Sequence, residues 1–152
     1  MNCVVEELVP GGIDGVTVAL PDETAYRERY FAWQAFPLSA VFGNNEVSGG
    51  VLRAWRHVPV FGEVETHVDR EMFHFVSGTA LMLFCDMRDG KPVMETCRIV
   101  RIRAGTQLVI EAGKGHFVAV AEGDEPVCAI VIAPRMDAPR VPLDEAVTGV
   151  AK

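Results

Sequence analysis

Glu65-Thr66-His67-Val68-Asp69-Arg70-Glu71, with Gly78 beyond it, is the stretch that decides how this chain is read. Glu65 and His67 stand two positions apart in an apolar run, so on a strand their side chains leave the same face. A tight turn over Val68–Arg70 would return Glu71 beside them on the next strand. Further along, Gly105 precedes Glu111-Ala112-Gly113-Lys114-Gly115-His116. The glycine-rich turn there lets the following strand set His116 opposite the first group. Two carboxylates and two imidazoles are thereby expected to meet in one sheltered cavity.

Around these segments the texture is β throughout. Runs of Val, Ile, Leu and Phe give candidate strands at Val4–Leu8, Val16–Leu20, Leu38–Phe42, Gly50–His57, Val60–His67 and Met72–Val76. Others follow at Thr79–Cys85, Met94–Arg103, Gln107–Ile110, His116–Val120 and Val127–Ala133. Turn residues separate them, as at Gly43-Asn44-Asn45, Asp89-Gly90-Lys91-Pro92 and Glu122–Pro126. Many short strands at this spacing predict an all-β sandwich or barrel. At most two short helices are expected, over Asp22–Phe31 and Leu143–Val147. With 152 residues, 49% of them hydrophobic, the chain is expected to be one domain burying roughly two thirds of its unfolded surface. Residues 1–45 are expected to add N-terminal strands to the barrel, 46–135 to form the barrel itself, and 136–152 to extend from its C-terminal end.

The spacings resemble those of the cupins. In that superfamily a first motif has two histidines one residue apart, then a glutamate, then a glycine. Here Glu65 stands at the first histidine, while His67, Glu71 and Gly78 fall on the remaining positions. The second motif is matched by Gly105, Gly113 and His116, with Glu111 in place of its proline and Val120 in place of an asparagine. The resemblance implies a double-stranded β-helix, or jelly-roll barrel. From about Arg53 onward the chain is also similar to ureidoglycolate lyases (ureidoglycolate hydrolases), cupins of allantoin degradation and purine catabolism. The features are Arg53-Ala54 with Pro59, Glu65-Thr66-His67, the Asp89–Pro92 hairpin leading into Thr96-Cys97-Arg98-Ile99-Val100, His116, and the closing strand Cys128–Ile132. That family has glutamine near Glu71 and a Trp-His pair near His116, where this chain has Gly115-His116.

Glu65, His67, Glu71 and His116 together could ligate one divalent metal, Mn, Fe, Ni or Zn; no organic cofactor is expected. A metal-free reading is equally physical. Two carboxylates in a desolvated cavity cannot both ionise cheaply, so one pKa should rise and supply an acid beside a base. The lyase resemblance implies cleavage of a small ureido hydroxy acid to glyoxylate and urea. His67 or Glu65 would be the base and Glu71 or His116 the acid. Substrate carboxylate would be held by Arg53, with Lys114 as a second candidate. The competing functions are a metal-dependent cupin oxygenase or isomerase acting on a small acid or sugar, and a non-catalytic cupin that binds small ligands.

The remaining residues are read more plainly. His74 has the opposite strand parity to Glu71 and Phe73 and should face away; His57 is expected at the surface or in strand pairing. Arg98, Arg101 and Arg103 suit a solvated, guarded edge, and Trp33 and Trp55 suit the core, a dimer contact or a substrate wall. A net charge of −7 from 21 acids and 14 bases argues against nucleic acid as a partner but not against a small anionic substrate. Cys3, Cys85, Cys97 and Cys128 form no close sequence pair, so reduced thiols in a cytoplasmic protein are expected, with Cys85 and Cys128 packing as small hydrophobes. No basic leader is legible, and no apolar run reaches the ~18 residues of a membrane span, so no membrane partner is expected. Exposed apolar strand positions would permit a homodimer.

Overall fold

A computed structural model describes residues 1–22 and 25–151, the side chain of Val118 excepted. Its elements are β1 (Asn2–Glu7), β2 (Val16–Ala19), β3 (Tyr26–Arg27), β4 (Ala32–Trp33), β5 (Val47–Ala54), β6 (Val60–Glu65) and β7 (Glu71–Ser77). They continue as β8 (Thr79–Arg88), β9 (Lys91–Arg103), β10 (Gln107–Ile110), β11 (Gly115–Ala121), β12 (Val127–Pro134) and β13 (Arg140–Val150). No helix occurs among the described residues, so none is present there to cross a membrane.

Six strands close on themselves in the order β1-β13-β6-β11-β8-β9, and five form a second sheet, β2-β10-β7-β12-β5. From β5 onward every connection passes from one sheet to the other except the β8–β9 hairpin. This alternation winds the chain into an all-β, cupin-type double-stranded β-helix. The hairpin exception is set locally: Asp89 and Gly90 both adopt positive φ, 50° and 75°, the conformation that an Asp-Gly turn supplies to right-twisted strands.

Two cores follow from this winding. Phe75, Met82, Phe84, Leu108 and Ile110 pack together on one side of the closed sheet. Val64, Leu83, Ile99, Val120 and Val147 pack on the other. Strand β8 alternates between them, and both faces are covered, which is why Ala80–Cys85 reads as an unbroken apolar run. Burying each such side chain contributes roughly 1.5–3 kcal/mol.

Several expectations are corrected. Leu38–Phe42 forms no strand. Of the helix expected over Asp22–Phe31, residues 23 and 24 lie outside the described residues, and Tyr26–Arg27 pairs with Ala32–Trp33 as a short hairpin. Leu143–Val147 lies inside β13, and the 136–152 segment thereby supplies a strand of the closed sheet rather than an extension. The ladder with β6 shifts register between Pro142 and Val147, so Leu143 and Val147 are both buried with exposed residues between them. That four-residue spacing imitates a helical period. Arg98 and Arg101 also do not line an edge, because β9 is paired there with both β1 and β8, whereas Arg103 lies past the β1 ladder and pairs with β8 alone.

Candidate metal centre

Strand β6 ends at Glu65, and His67 sits just beyond it in the segment that crosses to the second sheet. Glu71 opens the next strand, β7, as expected, and that strand belongs to the facing sheet. His116 lies opposite Glu65 in the β6–β11 ladder. The two motif loops are tied directly, since the Gly113 amide donates to the His67 carbonyl at 2.8 Å. Gly113 has φ +79°, a conformation that favours glycine. Asp69 clamps the crossing segment, accepting from the Gly43 and Arg70 amides at 2.7 Å each.

The expected four side chains do converge. One donor atom from each of Glu65, His67, Glu71 and His116 falls in a group whose members all lie within 4.8 Å of one another. That span is close to the ~4.2 Å across a metal with ~2.1 Å bonds to opposed ligands. The histidines are oriented alike. His116 Nδ1 lies 3.1 Å from the Lys114 carbonyl, and His67 Nδ1 lies 3.4 Å from that of Asp137. Both rings thus turn Nε2 towards the carboxylates. His116 Nε2 is 3.0 Å from Glu71 Oε2 and 3.7 Å from Glu65 Oε1. His67 Nε2 is buried, 3.4 Å from Glu71 Oε2, with no well-formed hydrogen bond. An imidazole pinned at Nδ1 by a backbone carbonyl, with Nε2 free and buried, is how ligating histidines are commonly held. The donor set therefore fits a divalent cation.

Phe84 stacks at 6.4 Å from the His116 ring and Phe73 meets it edge-on at 6.5 Å, so the imidazole is fixed from both sheets. Burial by itself would raise the Glu71 pKa, but the hydrogen bond from His116, the close approach of His67 and the charge of both imidazoles outweigh it and hold the carboxyl down at about 2. Burial would lower that of His67, yet the bond and charge of Glu71 raise it above the ordinary value. The carboxyl expected to be raised is thus not Glu71, which stays ionised because two imidazoles face it.

Neither expected substrate cation joins the group. Leu52 and Ala54 face the core, so Arg53 between them points outward and is exposed. The Lys114 ammonium is buried in an ion pair with Asp86 at 2.6 Å. His74 does face away, with its ring 4.2 Å from that of Phe36 on the outer face. His57, Trp33 and Trp55 are exposed, so the tryptophans are not core residues. The Asp137 carbonyl was missed by sequence reasoning, and no signal could have revealed it, since the backbone rather than the side chain acts. Cavities of about 560 and 660 Å³ lie elsewhere, at Arg56–Pro59 and at Ser77–Thr79. The four-residue group is nearly closed, and Glu65 and Glu71 keep 16% and 13% side-chain exposure.

No family model matches the chain, and no curated protein does. Among solved structures it is similar to oxalate decarboxylase of Bacillus subtilis. One such structure, concerned with the Mn(II) centres of that enzyme, aligns over 64% of this chain and 24% of that one, with TM-score 0.46 and 21% identity. An arginine-to-alanine variant gives TM-score 0.47 and 19% identity over the same shares. This chain thus spans about a quarter of the length of those relatives.

Proposed function

We propose that this chain is a metal-dependent cupin enzyme that cleaves a small ureido hydroxy acid of the ureidoglycolate type, releasing glyoxylate and urea. The observation that carries the reading is the common orientation of His67 and His116, each pinned at Nδ1 and presenting Nε2 to two carboxylates. A divalent cation held there, Mn, Fe, Ni or Zn, would supply the positive charge that draws in the substrate carboxylate and hydroxyl. That supply is needed because Arg53 points outward and Lys114 is spent on Asp86.

Glu65 is the group assigned to proton transfer. Its carboxylate accepts no hydrogen bond among the described residues, and it is the more exposed of the two acids. It takes the proton of the substrate hydroxyl as the C–N bond breaks and the carbonyl of glyoxylate forms. It then returns that proton to the departing urea nitrogen. Glu71, held ionised, is no acid near neutral pH; it orients the two imidazoles. Substrate reaches the group from the side of Glu65 and Glu71, where solvent contact remains.

The test is to incubate the purified protein with ureidoglycolate, with and without chelator, and follow glyoxylate. Release that stops on chelation and returns with one of the four metals supports the reading. Release that survives chelation selects metal-free carboxylate chemistry instead, and no glyoxylate under any condition removes the lyase. The near-closure of the group favours one second reading, a cupin that holds metal and binds small acids without turnover.

A further inference from the structure

Three of the four cysteines, distant in sequence, stand in one row across three adjacent strands. In the β8–β9 ladder Leu83 faces Ile99 and Phe84 faces Arg98. Carried one position further, into the interval between Phe84 and Asp86 where the register shifts, the same alignment brings Cys85 towards Cys97. On the other side of β9, β1 runs parallel with Val5 beside Ile99, which sets Cys3 beside Cys97. The Cys3 thiol donates to the Cys97 carbonyl at 3.5 Å. All three side chains pack with the second core, away from the metal group.

Directly opposed residues of antiparallel strands have Cα atoms about 4.5–5.5 Å apart, inside the roughly 4.4–6.8 Å that a disulfide spans. The neighbouring Cys97 thiol draws the Cys85 thiol below its ordinary range against the effect of burial, with the Lys114 charge helping and that of Asp86 opposing. Cys85 is closed to solvent and Cys97 is 5% exposed, so an oxidant reaches the pair through local opening of the strands, and a small uncharged one needs the least opening. Cys128 sits in the other sheet, on β12.

We propose that Cys85 and Cys97 are a redox pair that a small hydroperoxide oxidises to a disulfide. The Cys85 thiolate attacks the O–O bond of hydrogen peroxide, giving a sulfenic acid and hydroxide, and the hydroxide takes the Cys97 proton. The Cys97 thiolate then attacks the sulfenic sulfur, forming the S–S bond and expelling a second hydroxide. That hydroxide recovers the proton first lost from Cys85. Two thiols are oxidised and one peroxide is reduced to two waters.

The full chain, reduced and then treated with hydrogen peroxide, would be denatured, alkylated and mapped by mass spectrometry without reduction. The expected result is a peptide joined through Cys85 and Cys97, loss of two alkylatable thiols, and reversal by dithiothreitol. Oxidised glutathione, too bulky to enter, should leave the pair free. C128S should form the same bridge, while C97S should leave Cys85 as a sulfenic acid that dimedone traps when the peroxide-treated chain is denatured in its presence. Should C97S not fold, the unmodified chain still decides the matter. Four free thiols after peroxide, or a bridge that recruits Cys128, would overturn the proposal.

Discussion

His116 Nε2 lies 3.0 Å from Glu71 Oε2, although the two residues belong to opposite sheets of the jelly roll. Nδ1 is turned to the Lys114 carbonyl, so the nitrogen that faces Glu71 is the one a cation would take. The contact also joins the sheets through a carboxylate–imidazole pair that is almost wholly buried.

Removing one partner of such a pair is costly. His116→Ala leaves Glu71 desolvated without its main hydrogen-bond donor, and a stability loss of about 3–5 kcal/mol is expected. Affinity for a divalent metal should fall by about 100-fold or more, because a ligand is lost. His74→Gln is the control: its ring packs on Phe36 outside the group, and metal affinity should not change. Denaturant melts and metal titration by calorimetry read both effects. Equal metal affinity in H116A and the parent would remove His116 from the ligand set.

The pH dependence has two limbs of opposite sign. Glu71 is lowered from 4.5 to about 2, so its contribution is present above pH 4.5 and lost as pH falls towards 2, on the order of 3 kcal/mol by linkage. His67 is raised above 6.5, so its contribution is complete below 6.5 and is lost as pH rises through its folded value. Metal-free protein should therefore be most stable between about pH 4.5 and 6.5. Metal binding requires His67 to give up its proton, so affinity should climb with pH over the same region where metal-free stability declines. Thermal melts with and without metal across pH 4–8 test this; melting curves that move in parallel would contradict it.

Much of this arrangement was legible because cupin-like spacing fixes which residues meet. The Gly105–His116 interval sets His116 against the first group, though not that it shares a ladder with Glu65, and the β8–β9 turn follows from Asp89-Gly90. What the sequence hid was any feature whose period is broken or whose chemistry lies in the backbone. The bulge in β13 made Leu143 and Val147 look helical, and the Asp137 carbonyl on His67 has no side-chain signature. Arg53 was misplaced because a family resemblance supplies a residue type, while strand parity between Leu52 and Ala54 decides where it points.

Gly78 joins β7 to β8 at φ +73°, and a Cβ there would stand 2.7 Å from the Pro126 carbonyl oxygen. Both the backbone angle and the contact oppose a side chain, and the neighbouring atom is backbone that cannot swing away. Gly78→Ala should cost about 2–4 kcal/mol, lowering Tm by roughly 5–15 °C for a chain of this size. Gly90→Ala has the angle without the contact and should cost less. Equal melting temperatures for the two variants would show that the Pro126 contact does not matter.

Strand β13 offers the sharpest test of the closed sheet. It pairs with β1 on one side and β6 on the other, and Val147 is fully buried in the second core with Phe61 and Val64. A chain ending at Pro139 would expose those residues and leave β6 with one open edge, at a loss well beyond the 5–15 kcal/mol by which domains are stable. The truncated chain should lose its near-ultraviolet circular dichroism, and Cys85 and Cys97 should become open to alkylation without denaturant. Val147→Ala, a milder change in the same place, should fold with a loss of about 1–3 kcal/mol. If the truncated chain keeps both thiols protected, β13 is an appendage and the closed sheet is not what holds the second core together.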